Sequence, residues 1–269
     1  MSANEQLSSA NDQLKIHDKA QQEFINVAAH ELRTPIQPII GLSDILLSKI
    51  KDNESRQLVD AIFRNAKRLQ RLSQDILDVT KIESGSLKLN KEHFNLNEVI
   101  SNIADDYRNQ IKNSNRNIKL VYGFYKKQAK EGEEQQEYQK KKQLLIQDNT
   151  LIIEADKEKI IQVITNLLGN AIKFTKEGTI SIITEKKEES GHSKEVIVSI
   201  KDTGEGIDPE VLPKLFSKFV GKSYQGTGLG LFISKSIVEA HGGRIRAENN
   251  ADAKGATFSF TLPLNEHSH

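Results

Sequence analysis

The stretch NVAAHELRTPIQPIIG, residues 26–41, places one histidine, His30, in a pattern typical of a helix. Pro35 and Pro38 follow at positions where a helix interior disfavours proline, because proline lacks the backbone N–H and its ring crowds the preceding turn. An interior proline costs about 3 kcal/mol relative to alanine. The stretch therefore predicts a helix with a local bend beside the histidine, whose strain the neighbouring structure compensates.

Projected as a helix at about 100° per residue, this stretch has an apolar side and a polar side. The apolar side chains share one third of the circle: Ala28, Leu32, Ile36, Ile39 and Leu46. His30 falls almost opposite them, so we expect it to project into solvent. Glu31 is placed to accept a proton from one imidazole nitrogen, which leaves the lone pair of the other for nucleophilic attack. Thr34 lies one turn on, where its hydroxyl can orient a water molecule.

A second helical run follows the turn KDNES, residues 51–55, in which Asn53 or Ser55 is the expected helix cap. The run ends near Ser84–Gly85, and its apolar stripe comprises Leu58, Ile62, Ala66, Leu69, Leu72, Ile76 and Val79. Two long helices joined by a short turn predict an antiparallel all-α hairpin. A single hairpin leaves one side of its stripe uncovered, so we expect two copies to pair as a dimeric four-helix bundle.

The rest of the chain alternates helical and strand-like segments. Helical patterns cover about 97–113, 156–175 and 227–241, and the strand-like segments are IKLVYGF, TLIIEA, TISIIT, VIVSIKD, GRIRAE and TFSFTLP. This order predicts one sheet covered by helices on a single face, an α+β two-layer sandwich. The polar tract at 126–142 is interpreted as a solvated insertion between two strands, with a binding tract as the alternative.

The predicted organisation is therefore multidomain. A weak heptad pattern at 1–23 indicates a helical lead-in or coiled coil, although a frayed surface helix also fits its first half. The hairpin follows at 24–86, then a linker at 87–95 and the sandwich at 96–265.

The helical segment DKEKIIQVITNLLGNAIKFT, residues 156–175, brings Asn166, Asn170 and Lys173 onto one face, because they are spaced by four and three residues. Amide oxygens are hard ligands that suit Mg²⁺, and a lysine neutralises phosphate charge. The alternative is the polar outer face of an amphipathic helix, whose inner face would be Ile160, Ile161, Ile164, Leu168 and Ile172. Two glycine-rich segments favour the nucleotide-binding interpretation.

These glycine-rich segments predict the two ends of a nucleotide site. In VSIKDTGEGID a strand ends at Asp202, whose carboxylate can accept a hydrogen bond from an exocyclic amine such as that of adenine. Gly204 and Gly206 let the backbone close over a flat ring. In QGTGLGLFISKSIVEAHGG three glycines lead into a helix, whose N-terminal N–H groups suit phosphate oxygens.

Composition and spacing exclude several classes of protein. A formal net charge of +1 gives no general electrostatic case for binding nucleic acid or an anionic membrane, and the absence of cysteine excludes disulfides and thiol catalysis. No apolar run reaches the roughly 18 residues of a membrane span, so we expect a soluble, cytoplasmic chain, whether or not it is a piece of a membrane-bound sensor. The G-x-G-x-G spacing is not the dinucleotide motif, and Phe216 stands where a P-loop has its first glycine.

The segment FINVAAHELRTPIQPIIGLSDIL, residues 24–46, resembles the phospho-acceptor box H-E-x-x-x-P of sensor histidine kinases from two-component systems. In that family a helical hairpin dimerises into a four-helix bundle and carries the acceptor histidine. The resemblance implies that His30 accepts the phosphoryl group and that Glu31 acts as general base. It also implies that Thr34 assists in dephosphorylating the partner. The extra Pro38 departs from the usual box.

The later segments match, in order, the N, G1, F and G2 boxes of the histidine-kinase ATP-binding domain, a fold shared with Hsp90, MutL and type II topoisomerases. The resemblance covers about 20–263 and implies ATP and Mg²⁺ as cofactors, with Asn170 on the metal and Asn166 along the phosphates. The other implied nucleotide-binding residues are Lys173, Phe174, Asp202, Gly204, Gly206, Phe219, Lys222, Gly226, Thr227, Gly228, Leu229 and Gly230.

This sequence departs from the family in its ATP lid. Only VGKSYQ separates Phe219 from Gly226, and this segment contains no arginine. Lys218 or Lys222 would then supply the cation for the γ-phosphate, as a point charge without the fork of arginine. For each of them a solvated surface lysine is the alternative.

The resemblance implies an ATP-dependent protein-histidine kinase that autophosphorylates His30. The phosphoryl group would pass to an aspartate in the receiver domain of a response regulator. Transfer within one chain and transfer across the homodimer both fit, because residue types do not fix the handedness of the turn at 51–55. A phosphatase-biased regulator is one alternative, which the short lid favours. An ATP-gated dimeric scaffold of the Hsp90 and MutL type is another, against which HELRTP argues.

Overall fold

The computed structural model describes residues 25, 27–29, 31–114, 116–125, 150–189, 192–220, 227–251 and 254–264. The chain divides into two compact units, Met1–Leu87 and Lys88–His269. Several expectations lie outside the described residues: the lead-in at 1–23, the insertion at 126–142, the orientation of His30, and the roles of Lys222 and Gly226. Among the described helices, none combines the length and the apolarity that a membrane span requires.

Two long helices make up most of the described part of the first unit, as the sequence predicts. Helix α1 covers 31–49, with 27–29 also helical, and it continues through both prolines. Helix α2 covers Asn53–Glu83 and ends in a C-cap at Ser84, followed by Gly85 in the left-handed region.

The start of α2 differs from the prediction. The expectation that Asn53 or Ser55 caps the helix is wrong, since Asp52 is the N-cap and its carboxylate accepts a hydrogen bond from the Ser55 N–H at 2.8 Å. Serine, asparagine and aspartate satisfy the unpaired N–H groups of a first turn about equally well. Composition alone therefore does not decide among neighbouring capping residues.

The hairpin buries a small apolar core between its helices. Ile36, Ile40 and Ala66 are buried, and Phe63 packs against them. Within the predicted stripe of α1, Ile36 is buried and Ala28 half-buried, whereas the other three side chains are exposed. The exposed large apolar side chains of the two helices are Val27, Leu32, Ile39, Leu42, Ile45, Leu46, Leu58, Ile62 and Leu69. One hairpin therefore covers only one side of its apolar surface.

Two polar contacts also join α1 to α2. The hydroxyl of Ser73 donates to the carbonyl oxygen of Ala29 at 2.9 Å. The Arg33 guanidinium donates to Gln74 Oε1 at 2.8 Å, and Gln74 Nε2 donates to Asp78 Oδ1 at 3.4 Å. These bonds are directional, so they fix the register of the helices more closely than apolar packing does.

Seven strands among the described residues of the second unit form two sheets. The larger sheet has the order β2–β4–β5–β7–β6, with strands Ile118–Tyr125, Gly178–Glu189, His192–Asp202, Ala256–Pro263 and Ile245–Asn249 respectively. Strand β2 pairs with β4 in parallel, and the other neighbours are antiparallel. The smaller sheet pairs β1, Glu92–Asn95, with β3, Ile152–Ala155.

Two predictions about these strands are wrong. TLIIEA was expected in a single sheet, but β3 pairs with β1 in a sheet of its own. The predicted linker at 87–95 contains β1, in which Phe94 is buried. A strand of four residues is too short to show a clear alternation of apolar and polar side chains, so β1 does not stand out in the sequence.

Three helices pack against the larger sheet: α3, Leu96–Asn113, α4, Lys157–Phe174, and α5, Gly230–Ala240. A short 3₁₀ helix, Leu212–Lys214, precedes α5. Along β5, Val196, Val198 and Ile200 are fully buried, whereas Ile197 and Ser199 between them are half-buried. This alternation confirms a two-layer sandwich with helices on one face of the sheet.

Helix α4 buries a wider surface than the sequence predicts. Its buried residues are Ile160, Val163, Ile164, Leu167, Leu168 and Ala171. Ile161 and Ile172, expected on the inner face, are half-buried instead. The reason is that α4 contacts α3 and α5 as well as the sheet, so more than one stripe of the helix is covered.

Buried His241 joins the end of α5 to the start of α4. Its Nε2 accepts a hydrogen bond from the Asp156 N–H at 3.0 Å, so the ring proton lies on Nδ1, which donates to the Ile237 carbonyl at 2.8 Å. Asp156 in turn caps α4 through the Lys159 N–H and accepts from the Asn90 N–H at 2.9 Å. This network requires the neutral imidazole.

Burial lowers the pKa of His241 below its ordinary value of 6.5. The Ile237 carbonyl opposes this shift, the positive charge of Lys91 adds to it, and the negative charge of Asp156 opposes it. The unfolded chain therefore binds a proton at this site more readily than the folded chain does, and acidification favours unfolding.

We expect the free energy of unfolding to decrease as the pH falls from about 7 to about 5, with a contribution from His241 of up to about 1.4 kcal/mol per pH unit. Urea denaturation at several pH values measures it. His241→Gln removes the titrating group and should flatten the dependence. An equal slope in His241→Gln would contradict the assignment.

Candidate functional site

The predicted phospho-acceptor segment lies on α1. Glu31 and Thr34 are both exposed on this helix, as is Gln37 one turn further on. Ala29, by contrast, is buried and receives the hydrogen bond from Ser73. The structure therefore places the predicted general base and the predicted hydroxyl at the surface of the first unit.

In the second unit, α4 carries three predicted nucleotide-binding side chains. Asn166, Asn170 and Lys173 are half-buried, and the asparagines are one turn apart. Asn166 Nδ2 donates to the Gly230 carbonyl at 3.3 Å and to Ser234 Oγ at 3.4 Å. The structure thus brings the asparagine helix together with the beginning of α5.

Asp202 lies at the end of β5 and is 3% exposed. Its Oδ1 accepts hydrogen bonds from the Gly204 N–H at 2.8 Å and from the Ala256 N–H at 3.3 Å. Burial raises the pKa of Asp202, and these two N–H groups oppose the rise. Because both bonds go to one oxygen, Oδ2 can accept from a ligand such as an amine.

Gly204 is required by a close approach between two backbone segments. A Cβ at this position would lie 2.4 Å from the Phe174 carbonyl oxygen, which is too close for any side chain. The same carbonyl accepts from the Glu205 N–H at 3.3 Å, and Glu205 forms an exposed ion pair with Lys176 at 2.9 Å. The loop after Asp202 is thereby held against the end of α4, a reason for the glycine that the sequence does not reveal.

Two asparagines that the sequence analysis does not single out hold this loop from the other side. Asn249 accepts from the Ile207 N–H at 2.7 Å and donates to the Ile207 carbonyl at 2.8 Å. Asn250 Nδ2 donates to the Asp202 carbonyl at 2.8 Å. Gly206, at φ 76°, leaves room for Asn249. The signal in the sequence is the pair of asparagines directly after a strand, a position where side chains often bond to loop backbone.

The predicted phosphate-binding glycines lead into α5. Leu229 is the N-cap and provides no capping side chain, so the first N–H groups of the helix lack a side-chain acceptor there. The first turn also contains no acidic residue. Gly230 lies against Asn166, since a Cβ there would be 3.4 Å from the asparagine amide. An uncapped helix N-terminus beside an amide donor is suited to bind phosphate oxygens.

Phe219 has a strained backbone. Its φ is 59°, in the left-handed region, and the side chain is 75% exposed. The Phe219 N–H donates to the Gly228 carbonyl at 2.9 Å, and a Cβ on Gly228 would lie 2.9 Å from the Phe219 Cα. Gly228 therefore allows the two ends of the predicted lid to meet.

Two lysines near the predicted site lie over aromatic rings. Lys173 Nζ is 5.2 Å from the centroid of the Phe174 ring. Lys218 Nζ is 5.2 Å from the centroid of Phe232, which belongs to the first turn of α5. Contacts of this kind hold a lysine in place without removing its charge.

Comparison with known proteins agrees with this geometry. Residues 20–85 match the model of the His Kinase A (phospho-acceptor) domain, and residues 155–266 match that of the histidine kinase-, DNA gyrase B- and HSP90-like ATPase. The catalytic domain of the histidine kinase ThkA, in a nucleotide-free structure, is 32% identical with a TM-score of 0.50 over 65% of this chain and 96% of that one. The chain belongs to the histidine kinase family.

Longer relatives extend the similarity across both units. The sensor protein SrrB of Staphylococcus aureus is 32% identical over 257 residues, which is 93% of this chain and 39% of SrrB. ThkA in complex with the response regulator protein TrrA is 27% identical with a TM-score of 0.55, over 98% of this chain and 68% of that one. The histidine kinase chain thus spans well under half the length of SrrB.

The strain at Phe219 of this histidine kinase leads to a stability prediction. A left-handed conformation costs a residue with a Cβ roughly 1–2 kcal/mol, and glycine avoids this cost. Phe219→Gly should therefore be more stable than Phe219→Ala, by about 1 kcal/mol in the free energy of unfolding measured with urea. The alanine variant is the matched control, because both lack the ring. Equal stabilities would contradict the strain.

Proposed function

We propose that the chain is the catalytic core of a sensor histidine kinase, which uses ATP to phosphorylate His30 and passes the phosphoryl group to an aspartate of a response regulator. The observation that carries the proposal is the site around Asp202, Asn166 and the start of α5. It combines a buried carboxylate with an open oxygen and a helix N-terminus without a side-chain cap, and so suits both ends of ATP. The match to both family models supports it.

In the proposed reaction an imidazole nitrogen of His30 attacks the γ-phosphorus of ATP. A nitrogen–phosphorus bond forms, the bond to the β,γ-bridging oxygen breaks, and ADP leaves. Glu31, exposed on α1 beside His30 in sequence, would take the proton from the other nitrogen. Positioning and charge neutralisation supply most of the acceleration in phosphoryl transfer.

The nucleotide would lie with its base at Asp202 and its phosphates at Gly228–Gly230. Asn170 would hold Mg²⁺ through its amide oxygen, and the ion would neutralise charge on the triphosphate. A metal site of this kind takes one or two ligands from the protein and the others from phosphate and water. Asn166 and Lys173 would contact the phosphates, and Phe174 and Phe219 would lie alongside the nucleotide.

Replacing the proposed acceptor tests the reaction directly. We expect His30→Gln to abolish labelling by ATP carrying a radioactive γ-phosphate, because glutamine has no nucleophilic nitrogen. His93→Gln, at an exposed histidine of β1, is the matched control and should label normally. The phosphoprotein should be acid-labile and base-stable.

Labelling that persists in His30→Gln would overturn the acceptor. An unlabelled wild-type chain that dephosphorylates a phosphorylated regulator, and loses this activity in Thr34→Ala, would instead favour the phosphatase-biased alternative. A chain that binds ATP and does neither would favour the scaffold.

Dimerisation through the hairpin is part of the proposal. The exposed apolar side chains of α1 and α2 would be covered by a second copy, since monomers rarely leave a large contiguous apolar surface in water. A response regulator would dock on the hairpin near the acceptor, and the ThkA–TrrA complex shows that a related kinase binds such a protein.

Of the two lysines proposed for the γ-phosphate, Lys218 has support from the structure. Its ammonium lies over Phe232 in the first turn of α5, the helix whose N-terminus would bind the phosphates. A positive charge held at this place would stabilise the charge that develops on the transferred group.

We expect Lys218→Met to lower the autophosphorylation rate at saturating ATP by roughly tenfold or more, and Lys218→Arg to retain most of it, because arginine keeps the charge. Lys214→Met, at an exposed lysine of the 3₁₀ helix, is the matched control and should match the wild type. A Lys218→Met rate within twofold of the wild type would exclude this role.

A further inference from the structure

The hairpin contains a pair of contacts whose placement along α1 is unusual. Ser73 and Gln74 are adjacent on α2, and they reach two positions of the first helix: the carbonyl of Ala29 and the guanidinium of Arg33. Ala29 directly precedes His30, and Arg33 follows it by three residues. The two contacts therefore lie on either side of the proposed acceptor.

Ser73 is the more constrained of the two. Ser73 is 3% exposed, and its hydroxyl donates to the Ala29 carbonyl oxygen at 2.9 Å, a normal hydrogen-bond length. Ala29 itself is buried. A buried hydroxyl that loses its acceptor destabilises the fold, so the bond resists any rotation of α1 that would move this carbonyl away.

The second contact restrains α1 at another angle. Arg33 lies four residues after Ala29 and is half-buried, and its guanidinium donates to Gln74 Oε1 at 2.8 Å. Gln74 is itself oriented by its bond to Asp78 at 3.4 Å. Adjacent residues of a helix point about 100° apart, so Ser73 and Gln74 restrain α1 from two directions.

The sequence of α1 gives a reason for external support. Pro35 and Pro38 have no backbone N–H, so the helix lacks the two intrahelical bonds that those residues would donate to Glu31 and Thr34. A helix weakened in this turn depends more on its neighbour for a defined orientation. The bond to Ala29 lies at the N-terminal side of this weakened turn, and the bond to Arg33 lies within it.

We propose that Ser73 and Gln74 are positioning residues for the phosphoryl transfer: they hold the backbone of α1 on both sides of His30 in the orientation that in-line attack requires. The inference rests on the proposed function. A misplacement of about 1 Å in a reacting group costs up to about a hundredfold in rate, so two hydrogen bonds that do not contact the nucleotide have a large effect on turnover. The same two hydrogen bonds have no effect on the affinity for ATP, because the second unit binds ATP.

The test compares Ser73→Ala with Ser43→Ala in the full chain. Ser43 is equally buried, at 5%, on the same hairpin and more than three turns from His30. We expect Ser73→Ala to lower the rate of autophosphorylation at saturating ATP by about tenfold or more while the KM for ATP stays within about twofold. Ser43→Ala should keep the wild-type rate. Ser73→Thr, which restores the hydroxyl, should recover most of the loss.

Gln74→Leu provides a second variant, because Gln74 is only half-buried and its replacement leaves the core of the hairpin intact. It should show the same split between rate and KM. Rates within twofold of the wild type in Ser73→Ala and Gln74→Leu would overturn the proposal, as would an equal loss in Ser43→Ala. Failure of the positioning proposal and failure of the proposed function are distinguishable. If the proposed function is wrong, the wild-type chain itself is not labelled at His30. If only the positioning proposal is wrong, the wild type is labelled and the variants label at its rate.

Discussion

The architecture of the second unit depends on one buried carboxylate. Asp202 ends β5, and its Oδ1 accepts hydrogen bonds from the N–H groups of Gly204 and Ala256. Ala256 lies 54 residues after Asp202 in the sequence. A buried charge is tolerated only when polar groups satisfy it, and here backbone donors from a loop and from a neighbouring strand do so. The same side chain thus joins the end of β5 to the start of β7 and leaves its second oxygen able to accept from a ligand.

Several residues around Asp202 allow backbone segments to approach one another closely or hold them together. Gly204 touches the end of α4, and Gly255, at φ 105°, would place a Cβ 2.1 Å from the Asp202 carbonyl oxygen. Asn249 and Asn250 bind the loop from the opposite side. Each of these contacts removes conformational freedom from the site before a ligand arrives, and preorganisation of this kind is what lets modest polar groups bind strongly.

Periodicity in the sequence was sufficient to predict the two-part organisation, the hairpin and the sandwich. The shared face of Asn166, Asn170 and Lys173 can be predicted from spacing, because side chains on one face of a helix recur at three and four residues. The strand β1 and the contact between Asn166 and Gly230 were not predicted, since both depend on pairing between segments far apart in sequence. The predicted inner face of α4 omits the buried residues Val163, Leu167 and Ala171 for the same reason. The elements that pack against a helix, and not the helix itself, determine which of its residues are buried.

The contact between Asp202 and Ala256 has a consequence for how the protein comes into being. During synthesis the strand that ends at Asp202 leaves the ribosome long before the residue that completes its carboxylate site. The hydrogen bonding of Asp202 is therefore complete only after residue 256 has been synthesised and β7 has inserted between its neighbours β5 and β6. A nascent chain that has not yet reached β7 thus lacks one of the two backbone donors to Asp202 Oδ1, and the loop after β5 is held by fewer contacts until that strand pairs.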